Sequence, residues 1–113
     1  MRLKGWDFLE HMIEDCEDIL AAVQNIDEDK FIQHRNTHKA VLYSLLNLGE
    51  LMKTFTEADK QERPAIPWKH IIGFRNRASH GYHELNLNIV WDIATNHIAH
   101  LLNELQQQKL NSK

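Results

Sequence analysis

The chain has 113 residues, of which 42% are apolar and 26% charged, as is usual for a globular domain. Its one cysteine, Cys16, excludes an internal disulfide framework and fits a reducing compartment. The apolar runs are far shorter than the roughly 20 residues needed to span a bilayer. No signal peptide is predicted at the start, so we expect a cytoplasmic protein without membrane contact.

The charges are unevenly distributed along the chain. The formal net charge of −3 argues against a general nucleic-acid coat. Residues 5–29 carry nine acidic side chains and no lysine or arginine, which is typical of a solvated helix face. Residues 63–83 carry no acid and hold Arg63, Lys69, Arg75 and Arg77. A local positive patch of this kind suits a site that handles phosphate groups.

The first half of the chain predicts three helices. Asp7 and Glu10 resemble a capping pair at the start of the first, and Asp27 caps a short second helix that carries Phe31 and Ile32. The first helix is predicted by apolar residues three and four apart: Trp6, Leu9, Ile13, Cys16, Leu20 and Val23. A long third helix, from about residue 36 to 55, is predicted by the stripe Val41, Leu45, Leu48, Met52 and Phe55.

The second half predicts a loop and two more helices. The polar residues 56–65 break the apolar pattern and predict the main loop. Pro67 suits the first turn of a helix that runs to His80, where Gly81 ends it. The last helix follows from the stripe Leu87, Val90, Trp91, Ala94, Ile98, Leu101 and Leu105. We therefore expect one all-α domain over residues 1–113, an antiparallel bundle of four main helices and one short helix.

The end of the helix that starts at Pro67 concentrates groups able to do chemistry. Asn76 and His80 are i,i+4 neighbours on one face, and Arg75 lies one step round the helix. Tyr82 and His83 follow directly. A cation, an amide, an imidazole and a phenol are thus expected within two turns of backbone.

These residue types suit the cleavage of RNA without a metal. An unperturbed imidazole titrates near neutrality, so a histidine at position 80 can take a proton from a 2′-hydroxyl or give one to the leaving oxygen. The guanidinium of Arg75 can bind a phosphate through two N–H bonds, and Asn76 can position the phosphate or the imidazole. On spacing alone, the better explanation of the pattern is that the Arg and His side chains stabilise a helix C-terminus.

The pattern also resembles a known family. Arg75-x4-His80-x-Tyr82 is similar to the Arg-x4-His-x-Tyr signature of HepT-like toxins, a branch of the HEPN (higher eukaryotes and prokaryotes nucleotide-binding) superfamily. The sequence before the motif, residues 66–77, resembles the family, as does His80-Gly81-Tyr82 followed by Leu87-Asn88-Ile89-Val90-Trp91. Residues 8–13 and 40–50 are also similar, so the likeness covers nearly the whole chain.

The resemblance implies a fold and a function. HepT-like proteins are helical bundles that dimerise, which brings two Arg/His pairs together at the interface. They are metal-independent endoribonuclease toxins without a cofactor, and a small nucleotidyltransferase antitoxin silences them by adding AMP to the motif tyrosine. Carried over, Arg75 and His80 are catalytic, Asn76 assists them, and Tyr82 accepts the AMP. Lys69, Arg77 and His83 are candidate contacts to the RNA, with Arg35 a further one.

Two alternatives remain open at this point. The first is a zinc site built from histidine pairs at helical spacing, although no cysteine or His-Glu-x-x-His sequence joins them. The pairs are His34 with His38, His80 with His83, and His97 with His100. The second alternative is a non-catalytic helical subunit that partners a nucleotidyltransferase and needs the dimer but not the Arg/His pair.

Overall fold

A computed structural model describes residues 5–78 and 85–111, and every regular element in those two ranges is helical. A 3-10 turn at Gly5–Phe8 leads into the helices α1 (Leu9–Val23), α2 (Glu28–Gln33), α3 (Arg35–Met52), α4 (Glu57–Glu62), α5 (Trp68–Ala78), α6 (Leu87–Asn96) and α7 (Ile98–Asn111). The predicted all-α fold is confirmed. None of these helices combines the length and the apolar character that crossing a membrane requires.

The predicted apolar stripes form the core. Helix α1 packs against α3 and α7, and α3 packs against α5. All five residues of the stripe predicted for α3 are buried, from Val41 to Phe55. On α1, Cys16 is fully buried, and burial raises the pKa of its thiol, as expected of an unreactive core cysteine. The helices therefore meet along the faces that their sequence periodicity indicates.

The region predicted to be a loop contains a short helix. Helix α4 begins with a capping box, in which the Thr56 hydroxyl accepts a hydrogen bond from the Asp59 backbone N–H and the Asp59 carboxylate accepts one from the Thr56 N–H. No residue of α4 is buried. A helix held by its cap and lacking an apolar face leaves no stripe in the sequence, which explains why residues 56–65 predict a loop.

Other boundaries differ in detail. The single last helix expected from Leu87 onwards is divided at His97 into α6 and α7, and α7 continues to Asn111. Helix α1 begins at Leu9 after the 3-10 turn, so Phe8 and not the predicted Asp7 occupies the cap position, and it makes no side-chain cap. The expected cap at Asp27 is present: its carboxylate accepts a hydrogen bond from the Lys30 N–H at 2.8 Å.

The tryptophans pack with other aromatic residues, as expected of core side chains. Trp6 lies edge-on to Phe55, with ring centroids 4.7 Å apart, and Phe55 lies 4.8 Å from the buried Trp68. The ring centroids of Trp91, on α6, and Phe31, on α2, lie 5.2 Å apart. The contacts of Phe55 with Trp6 and Trp68 anchor the 3-10 turn and the first turn of α5 to the segment just after α3.

One buried polar pair joins α1 to α3. The Asp15 side chain is only 8% exposed, and its carboxylate accepts a hydrogen bond from the Asn47 amide at 2.6 Å. Burial raises the pKa of the Asp15 carboxyl above its ordinary value, and the Asn47 hydrogen bond opposes that change. The pair satisfies both polar groups and fixes the rotation of α3 relative to α1.

Candidate active site between α3 and α5

Helices α3 and α5 approach closely at Gly49. A Cβ atom added to Gly49 would overlap the Cβ of Arg75, and it would lie 2.9 Å from the Arg75 Cγ and 3.3 Å from the Ile71 carbonyl oxygen. A hydrogen at this position is what lets the two backbones come so near. The stem of the Arg75 side chain is therefore seated directly on the backbone of α3.

The next residue of α3 holds the other end of Arg75. The Nη2 atom of Arg75 lies 2.6 Å from the Oε2 atom of Glu50, which makes a short charge-assisted contact. The two side chains are 28% and 57% exposed, and ion pairs open to water contribute only about 0–1 kcal/mol to stability. The pair thus adds little to folding, but it fixes where the guanidinium lies.

Arg75 and Glu50 lie in a groove of about 380 Å³, which we call the Arg75 groove. It is lined by Tyr43, Leu46, Asn47 and Glu50 from α3 and by Arg75 and Ala78 from α5. The spacing i, i+4, i+7 places Tyr43, Asn47 and Glu50 on one face of α3. The groove offers a fixed cation to an anion and, in Tyr43, an aromatic side chain that is 73% exposed.

The predicted site residues lie partly within and partly beyond the described residues. Arg75 and Asn76 lie in the last turns of α5, where Asn76 is exposed. His80, Tyr82 and His83 lie outside the described residues. Ala78, which lines the Arg75 groove, is two residues before His80 in the chain.

The candidate RNA contacts on α5 do not share a face with Arg75. At about 100° per residue, Arg77 points roughly 160° away from Arg75 round the helix. Arg77 lines a separate groove of about 170 Å³ with Phe74 and Ile89, while Lys69 lines another of about 520 Å³ beside α4. An RNA that contacts all three cations must therefore pass round α5 rather than along one side of it.

The histidine pairs that lie within the described residues have other partners. His34 Nδ1 lies 2.8 Å from the Thr37 hydroxyl, while the buried His38 has its Nδ1 3.1 Å from the Phe31 carbonyl oxygen. His97 lies 3.5 Å from the Asp92 carboxylate, and His100 lies 3.0 Å from a backbone carbonyl. In residues 5–78 and 85–111, no three side chains of the metal-binding types converge.

The sequence did not predict that residues of α3 line the Arg75 groove. Glu50 belongs to a segment that resembles the family, yet nothing in its immediate surroundings predicts a contact with a residue 25 positions later. Asp15 gives a clearer signal, because it is an acid that lies beside Met12 and Cys16 on an apolar stripe. Such a residue needs a buried partner, which the structure identifies as Asn47.

Comparison with protein families gives a match over most of the chain. The model of the family described as "Ribonuclease HepT-like" matches residues 10–108. The chain belongs to this family. The match includes α1 through most of α7, together with the whole of the Arg75 groove.

Individual relatives are similar to this HepT-like chain at modest identity. "Putative RNase MJ0127" of Methanocaldococcus jannaschii is 31% identical over 100 residues, which is 88% of this chain and 83% of the relative. "Probable ribonuclease HepT" of Thermococcus cleftensis is 26% identical over 107 residues, 95% of this chain and 97% of the relative. "Putative RNase TTE0752" of Caldanaerobacter subterraneus subsp. tengcongensis is 27% identical, with coverages of 88% and 89%. No solved structure gives a significant match.

The contact at Gly49 leads to a prediction with an internal control. In Gly49→Ala, the new methyl group forces α3 and α5 apart. Overpacking of this kind lowers the free energy of unfolding by about 1–3 kcal/mol. The higher helix propensity of alanine raises it by only roughly 1 kcal/mol. Gly73→Ala places its methyl group 3.4 Å from the flexible Arg77 Nη1 and should be neutral or stabilising by up to about 1 kcal/mol.

Urea denaturation of the two variants checks this difference. Gly49→Ala should be less stable than the wild type and Gly73→Ala at least as stable. If Gly49→Ala is as stable as Gly73→Ala, the two helices do not meet as closely as described.

Proposed function

We propose that this HepT-like chain is a metal-independent endoribonuclease and the toxin of a toxin–antitoxin pair, with Arg75 and His80 as its catalytic residues. The observation that carries the proposal is the position of Arg75, whose stem lies on Gly49 and whose guanidinium is held in an open groove. A pre-positioned guanidinium is suited to a phosphate that gains negative charge in the transition state. Membership of the family and the names of the relatives support RNA as the substrate.

The proposed reaction is a transesterification within the RNA. The 2′-oxygen of one nucleotide attacks the adjacent phosphorus. At the same time, the bond between that phosphorus and the 5′-oxygen of the next nucleotide breaks. The products are a 2′,3′-cyclic phosphate and a 5′-hydroxyl. His80 removes the proton from the 2′-hydroxyl or supplies one to the leaving oxygen, and Arg75 binds the non-bridging oxygens. Asn76, next to Arg75, is the proposed accessory residue that orients the phosphate or the imidazole.

A second copy of the chain is part of the proposal. One copy supplies one Arg75 and one His80, whereas the reaction needs a base and an acid at the same phosphate. A homodimer that joins two Arg75 grooves supplies both histidines. The exposed Tyr43 supports an interface here, because aromatic residues are enriched in protein contacts.

We also propose that a nucleotidyltransferase antitoxin silences the protein through Tyr82. The tyrosine oxygen attacks the α-phosphate of ATP and forms a phosphodiester with AMP, releasing pyrophosphate. Because Tyr82 is two residues from His80 in the sequence, we expect the added phosphate to compete with RNA for Arg75.

The activity is tested with purified, unmodified protein and an RNA substrate in excess EDTA. We expect the wild type to cleave, and His80→Ala and Arg75→Ala each to lose at least about 100-fold in rate, because each loses an acid–base or charge-stabilising group. His11→Ala is the matched control: His11 is exposed on α1, and its removal should leave the rate unchanged. Circular dichroism verifies that every variant keeps its helices.

Two outcomes contradict the proposed activity. Cleavage by both His80→Ala and Arg75→Ala at the wild-type rate rejects the site. No cleavage by a wild type whose mass shows Tyr82 unmodified rejects the activity, and it favours the non-catalytic binding subunit.

The silencing proposal has its own control, because the chain contains two tyrosines, Tyr43 and Tyr82. Intact mass is measured after incubation with ATP and the proposed nucleotidyltransferase antitoxin. Tyr43→Phe should gain AMP as the wild type does and stop cleaving RNA, whereas Tyr82→Phe should gain none and stay active. AMP on Tyr82→Phe would assign the acceptor to another residue.

A further inference from the structure

We infer that Glu50 is a positioning residue for the ribonuclease reaction, holding the Arg75 guanidinium in the orientation that stabilises the reacting phosphate. This inference rests on the proposed function and adds a residue to it. Its basis is the 2.6 Å contact between Glu50 Oε2 and Arg75 Nη2 at the mouth of the Arg75 groove.

Two adjacent residues of α3 contact different parts of the Arg75 side chain. Gly49 seats the Cβ and Cγ atoms, and Glu50 holds the terminal nitrogen. Between these two points the arginine side chain has several rotatable bonds, so the stem contact alone does not fix the guanidinium plane. A carboxylate at Nη2 reduces that freedom and favours one orientation before the substrate arrives.

The contact with Glu50 is compatible with phosphate binding. A guanidinium carries five N–H bonds in one plane, and the three on Nε and Nη1 are separate from the Nη2 group that meets Glu50. An arginine oriented by a carboxylate through one edge presents another edge to a phosphate. Arg75 touches the substrate, whereas Glu50 acts through Arg75.

The charge of Glu50 distinguishes a positioning role from a direct contribution to RNA binding. Glu50 is an anion in a groove proposed to bind a polyanion, so its charge weakens the binding of RNA rather than strengthening it. Removing it should lower kcat, because Arg75 loses its orientation, while KM stays the same or falls. A residue that merely holds the fold together would change the folded fraction and leave the kcat of the folded molecules unchanged.

The experiment compares matched substitutions in the full-length protein. Glu50→Ala should lower kcat about 2- to 5-fold without raising KM, since this is the factor by which losing a partly exposed ion pair changes the oriented fraction of Arg75. Glu50→Gln keeps an oxygen that can accept from Nη2 and should recover part of that loss. Glu10→Ala is the control, because Glu10 is also an exposed carboxylate in an ion pair, 2.8 Å from Lys109 and 61% exposed. Its kcat should equal that of the wild type.

A measurement that does not depend on cleavage accompanies the kinetics. The Nε–H resonance of Arg75 in a 15N spectrum is assigned from its loss in Arg75→Lys. We expect it to move and broaden in Glu50→Ala and to stay in place in Glu10→Ala, because Glu50 contacts the guanidinium and Glu10 pairs with Lys109 instead.

The outcomes separate this inference from the proposed function. If the wild type cleaves RNA through Arg75 but Glu50→Ala keeps its kcat, the positioning role is wrong and the function stands. A rise in kcat in Glu50→Ala would also overturn it, since Glu50 would then hold Arg75 away from the reacting phosphate. If the wild type does not cleave at all, the proposed function fails and the catalytic role of Glu50 fails with it, even where the resonance shows the ion pair intact.

Discussion

The close contact between α3 and α5 at Gly49 is the constraint on which the candidate site depends. Because Gly49 has no side chain, the Arg75 stem rests on the α3 backbone, and Glu50 is then within reach of the guanidinium. The same approach brings the exposed face of α3 beside the end of α5 and so forms the Arg75 groove. A single small residue in the core thus sets the position of a charged group at the surface.

The rest of the bundle supports that contact without taking part in it. The buried hydrogen bond between Asp15 and Asn47 ties the groove face of α3 to α1. The packing of Phe55 with Trp6 and Trp68 anchors the end of α3 and the start of α5. Stability therefore comes from the apolar core and these buried contacts. The exposed ion pair at Arg75 contributes little to it and is available for another role.

The sequence predicts the helices well because apolar periodicity reports directly on burial. The sequence-based prediction fails where the pattern of buried residues does not mark a helix or its end. Helix α4 has no buried residue and so no apolar stripe. The break at His97 leaves the apolar spacing from Ala94 to Ile98 unchanged, so the pattern does not reveal that α6 ends there. Arg75 could be predicted from its motif, whereas its contact with Glu50 could not. That contact joins two helices, and local spacing carries no information about which exposed charges meet across a groove.

The chemistry of the ends left on cleaved RNA tests the central claim most directly, namely that a guanidinium and an imidazole cut RNA through its own 2′-hydroxyl. An oligonucleotide is incubated with the wild-type protein in EDTA, beside a copy that carries one 2′-deoxynucleotide at the cleavage position. The account predicts fragments with a 2′,3′-cyclic phosphate and a 5′-hydroxyl, and no cleavage at the deoxy position. Fragments with a 3′-hydroxyl and a 5′-phosphate, or cleavage at the deoxy position, would contradict it.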